Sequence, residues 1–172
     1  MSFFNSLQKD LSFADVVACI KYFIKTNPDG EYRIAIGTDS QVKGSYTCFA
    51  TGIHVHRVGQ GAWCCISRRI DNKLYESLKD KISRETEITQ EMVNALKESL
   101  IDALCDFTVK YENFDCRLEA QIDMGTKGEM RKLIRKMAGQ SRGAGGDDAK
   151  IRPDAFAASG CPSRHSKKIK VG

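Results

Sequence analysis

Apolar positions 13, 16, 17, 20, 23 and 24 in "LSFADVVACIKYFIKTN" repeat at helical spacing and run out at "NPDG", so the pattern predicts a helix over about 12–26. Three strand-like pieces follow at 31–39, 48–57 and 62–70. The glycine-bearing "VGQG" between the last two has the length of an antiparallel hairpin connection. A long helix comes next: Ile88, Met92, Leu96, Leu100, Leu104 and Phe107 keep a 3-4 repeat, and Ser83 before "RETE" reads as its cap. "CRLEAQID" at 116–123 is a fourth strand. "GTKGEMRKLIRKMAG" is a helix with apolar positions 130, 133, 134 and 137 and an opposite face of Arg131, Lys132, Arg135 and Lys136. "AKIRP" is a short fifth strand, "DAFAASG" starts a last helix, and about 163–172 is a basic tail.

A meander of three antiparallel strands followed by β-α-β units builds an α/β fold. It is a mixed five-stranded sheet with helices on its faces, in a single domain over 1–172. Right-handed crossovers bring the later strands beside the first.

"YRIAIGTDSQ" then poses a chemical question, because its apolar run stops at a carboxylate, Asp39. The fourth strand also ends in an acid, Asp123. Parallel neighbours would hold the two about 4.8 Å apart. Carboxylates that close repel, and a divalent cation with oxygen ligands is the common remedy. Glu85 lies three, seven and eleven residues before Ile88, Met92 and Leu96, which puts it on the sheet-facing side at the start of the long helix. Glu87 shares the solvent face with Glu91, Asn94, Glu98 and Asp102. Each acid also has a plainer reading: a strand-end Asp bonding its own backbone, a Glu complementing the helix dipole, and Asp154, after Pro153, as an N-cap.

Charge adds a direction. Residues 127–172 carry 12 basic and 4 acidic residues, against 6 and 10 over 71–112. A basic C-terminal third suits a polyanionic partner as well as a solvated face. The seven cysteines are scattered, with no C-x-x-C pair, as in a reducing, cytoplasmic setting. No stretch is long and apolar enough for a membrane helix, and the first residues lack the form of a secretory signal.

The stretches "IGTDSQ", "FATGIHVHRVGQGAW", "RETEIT", "IDMGTKGEMRKLI" and "IRPDAFAASG" resemble the bacterial YkuK-like family of ribonuclease H-like proteins across nearly the whole chain. That resemblance implies a two-metal nuclease site loaded with Mg²⁺ or Mn²⁺. One ion would activate water and the other would stabilise the leaving oxygen of a phosphodiester. On this likeness Asp39 would bridge both ions, Asp123 would ligate one, and Glu85 and Asp154 would complete the set. Lys127 would steady a phosphate, while Arg131, Lys132, Arg152, Lys167 and Lys168 would follow a nucleic-acid backbone. Cys161, Pro162 and Ser163 stand where the family usually carries a small residue and an acid, so the fourth ligand is either Asp154 or missing.

Other signals are weaker. His54 and His56 share a strand face but have no third zinc ligand at suitable spacing. "GTKG" lacks the spacing of a phosphate-binding loop. Three functions therefore compete: a metal-dependent nuclease, a non-catalytic nucleic-acid-binding module on the same fold, and a protein-interaction domain.

Overall fold

The computed structural model describes residues 1–122 together with the short strand at 150–151. Along the chain run β1 (Phe3–Phe4), α1 (Phe13–Thr26), β2 (Gly30–Lys43), β3 (Tyr46–Arg57), β4 (Gly61–Asp71), α2 (Leu78–Lys110), β5 (Phe114–Ile122) and β6 (Lys150–Ile151). The sheet order is β1-β4-β3-β2-β5-β6. β2, β3 and β4 form the expected antiparallel meander, and β5 and β6 join it in parallel. The five expected strands are present. The two-residue β1 adds a sixth at the edge, antiparallel to β4.

Local chemistry explains the starts and stops. Ser12 caps α1 by accepting from the Asp15 N–H, and the Asp15 carboxylate accepts from the Ser12 N–H in return. β2 and β3 reverse at Gly44, whose φ of 54° lies in the left-handed region that glycine tolerates best. The β3–β4 hairpin falls where "VGQG" predicts it.

Two boundaries differ from the sequence reading. Ser83 is not a cap: α2 begins six residues earlier than that cap would place it, at Leu78, with Ser77 at its N-cap. β2 does not end at Asp39. It continues to Lys43 as a ribbon paired with β3, while its described pairing to β5 stops at Gly37 opposite Gln121.

Strand alternation then sorts the side chains. Tyr32, Ile34 and Ile36 of β2 face the same way as Ile53 and Val55 of β3 and Cys65 of β4. Val16, Ile20 and Ile24 of α1 and Met92, Leu96 and Leu100 of α2 close over them in one core. Both described helices thus cover the same face of the sheet. Among the described residues no helix is long and apolar enough to cross a membrane.

Candidate functional site

β2 changes character after Ile36. The next two positions facing α2 are Thr38 and Ser40, both buried, where the pattern of Tyr32, Ile34 and Ile36 would call for apolar side chains. α2 changes in the same way. Its buried stripe reads Ile82, Glu85, Ile88, Thr89, Met92, Leu96 and Leu100, so Glu85 and Thr89 are its polar members.

These polar positions meet. The Thr89 hydroxyl donates to Thr38 Oγ1 at 2.9 Å, and Thr38 shares a hydrogen with Thr51, its cross-strand partner, at 3.0 Å. One helical turn nearer the N-terminus, the Ser40 hydroxyl donates to Glu85 Oε1 at 2.5 Å. Four residues of helix rise about 6 Å and two residues of strand about 6.6 Å, so the two bridges keep step between antiparallel elements. Glu85 is only 6% exposed. A buried carboxylate needs hydrogen bonds to be tolerated, and Ser40 supplies one.

Ser40 also serves Asp39, because its backbone N–H donates to Asp39 Oδ1 at 2.9 Å. Alternation puts the Asp39 side chain on the opposite side of the ribbon from Ser40. Backbone N–H groups lie along the sheet plane, so this bond draws the carboxylate toward the ribbon's edge. The half-buried Asp39 and the buried Glu85 are therefore linked through one residue, rather than standing side by side on one face.

The start of α2 is fixed independently. Arg84 Nε lies 3.5 Å from Asp71 Oδ2 at the end of β4, and its Nη1 lies 3.0 Å from Glu87. The Thr47 hydroxyl donates to the Lys73 carbonyl and accepts from the Tyr75 N–H, pinning the connection before the helix to β3. These ties hold the helix in the register that sets Glu85 against Ser40.

Of the acids and basic residues assigned to the site from sequence, the structure describes Asp39 and Glu85. Asp123 directly follows the last residue of β5, and with Asp154, Lys127, Arg131, Lys132, Arg152, Lys167 and Lys168 it lies outside the described residues. Sequence reasoning missed Ser40, Thr38, Thr51 and Thr89. A usable signal existed: hydroxyl residues at alternating strand positions, and a Glu-x-x-x-Thr pair in phase with the apolar stripe of a helix. It also missed Glu119 and Gln121, buried polar residues of β5.

A family model for ribonuclease H-like proteins matches residues 15–167. The "Uncharacterized protein YkuK" of Bacillus subtilis (strain 168) is 35% identical over 167 residues, covering 96% of this chain and 96% of that protein. The chain belongs to the ribonuclease H-like family. No solved structure matches it.

Within this ribonuclease H-like chain the donor set at the end of the core is all oxygen: two carboxylates and a serine hydroxyl. That chemistry fits Mg²⁺ or Mn²⁺ better than softer metals. Among the described residues no three His, Cys, Asp or Glu side chains gather closely enough to hold an ion. Asp39 and Glu85 could thus supply only part of a metal shell. The second face of the sheet carries His54 and His56, with ring centroids 6.0 Å apart beside Gly61 and Ala62. Burial, and secondarily His56, holds the His54 imidazole below its ordinary pKa.

Proposed function

We propose that this ribonuclease H-like protein is a metal-dependent phosphodiester hydrolase acting on nucleic acid, with Asp39, Glu85, Asp123 and Asp154 as its carboxylate set. The observation that carries the reading is Glu85, an acid in the buried stripe of α2, bonded to the residue that also bonds Asp39. The register adds support. Gly37 pairs with Gln121 in parallel, and Asp39 and Asp123 each come two residues later in the sequence. Bound Mg²⁺ or Mn²⁺ would supply water activation and stabilisation of the leaving oxygen. The chain's own part is to hold carboxylates ready: Glu85 through the Ser40 hydroxyl, Asp39 through the Ser40 N–H. The basic residues at 127, 131, 132, 152, 167 and 168 would follow the phosphate backbone. Scattered cysteines without a C-x-x-C pair are in keeping with a reducing, cytoplasm-like compartment.

One observation favours a second reading, a nucleic-acid-binding module without turnover: the Asp39 side chain leaves β2 on the side opposite Ser40, and Ser40 is the residue that meets Glu85 of α2. Short RNA, DNA and hybrid substrates with Mg²⁺ or Mn²⁺ separate the two. The hydrolase cleaves, and Asp39→Asn and Asp123→Asn abolish cleavage. Identical behaviour of wild type and both variants on every substrate would end the catalytic reading. Salt-sensitive binding without metal-dependent turnover would establish the module.

A further inference from the structure

We infer that Ser40 is the positioning residue of this site, a single side chain and its own N–H orienting two candidate ligands that come from different elements. The inference rests on the metal-site reading above and deepens it. Its hydroxyl reaches Glu85 on α2 and its N–H reaches Asp39 on β2, while the residue itself is 5% exposed and cannot move aside freely. A carboxylate accepts hydrogen bonds around both oxygens, so a bond to one oxygen fixes its rotation without using its whole acceptor capacity. Groups that orient ligands in this way are worth about 10–100-fold in metal affinity.

The alternative is that Ser40 only helps to dock α2 on the sheet. The bridge one turn away tests this, because Thr89 to Thr38 joins the same two elements without touching either acid. Mn²⁺ binding to the full chain, followed by the free-ion electron paramagnetic resonance signal, is compared across variants together with thermal unfolding. Ser40→Ala is expected to weaken Mn²⁺ binding by about 10–100-fold. Ser40→Thr, which keeps the hydroxyl, is expected to restore most of it, and Thr89→Val to bind Mn²⁺ as wild type does. Should Ser40→Ala not fold, Ser40→Cys takes its place, keeping the bulk but offering only a weak donor.

Wild-type binding with no change in Ser40→Ala overturns the role of Ser40 and leaves the metal site standing. An equal loss in Thr89→Val also overturns it, since helix docking would then be the cause. No Mn²⁺ binding by wild type, or equal binding by wild type and Asp39→Asn, removes the metal reading itself and this inference with it.

Discussion

Replacing Thr38 by valine would isolate two buried hydroxyls at once. Thr38, Thr51 and Thr89 are each no more than 2% exposed, and Thr38 is the middle member of their chain. Valine has nearly the same shape, so little cavity forms and the loss is polar. A buried hydroxyl stripped of its partner costs about 1–3 kcal/mol. Thr89 stands in a helix and can turn back to the carbonyl four residues earlier, which relieves most of its share. Thr51 lies within β3 between β2 and β4, so its neighbouring backbone is already committed to ladders on both sides. Thr38→Val is therefore expected to destabilise the protein by about 2 kcal/mol, mostly through Thr51. Changing all three threonines to valine removes donors and acceptors together, and is expected to fall within about 1 kcal/mol of wild type. Equilibrium urea unfolding measures both, as midpoint changes at constant slope. A triple variant as unstable as the single one, or more so, would refute the reasoning. Each hydrogen bond would then be stabilising in its own right, and the orphaned hydroxyl would not be the cause.

The remaining expectations concern titration and thiols. His54 is held below its ordinary pKa of 6.5 by burial and then by His56. As pH falls below 6.5 the unfolded chain takes up a proton that the folded one refuses, so stability drops, by at most about 1.4 kcal/mol per pH unit. The urea midpoint of wild type should therefore fall more between about pH 7.5 and about pH 5.5 than that of His54→Gln, and equal falls would contradict it. Burial raises the pKa of the Cys65 thiol well above its ordinary value, whereas Cys105 is exposed. Alkylation followed by peptide mapping should label Cys105 early and Cys65 only on unfolding; early labelling of Cys65 would mean that the core under α1 opens readily.

The parts of the fold that were legible in the sequence are those whose local rules and tertiary environment agree. α1 has its apolar stripe and its stop both in sequence, and the structure reproduces it within a residue. The phase of α2 was legible because Ile88, Met92, Leu96 and Leu100 bury one continuous stripe. Its start was not. The first turn stands clear of the core, with Leu78 55% exposed, so no apolar periodicity announces it. β2 beyond Asp39 was hidden for a related reason, since "SQVK" continues as a ribbon against β3 without the two-sided burial that gives a central strand its apolar run. β1 is two residues long, below any periodic signal, and is held because Phe3 drops into the core while pairing with Ser67.

Moving the start of α2 changes what Glu85 can be. With Ser83 as the cap, Glu85 would sit in the first turn and the helix dipole alone would account for it. With the helix beginning at Leu78, Glu85 is its eighth residue, beyond the turn in which the dipole acts. The stabilising explanation is lost while the burial remains. An apolar side chain at this phase would join Ile82 to Ile88 in the stripe, and apolar replacements of buried charged groups are often neutral or favourable for stability. Glu85 and Ser40 thus form a polar pair where packing by itself asks for hydrocarbon, next to Asp39 of β2. Local rules broken together on two elements that touch are expected at functional sites rather than in scaffolding. That conjunction, more than either acid alone, makes the end of β2 the place to look for chemistry.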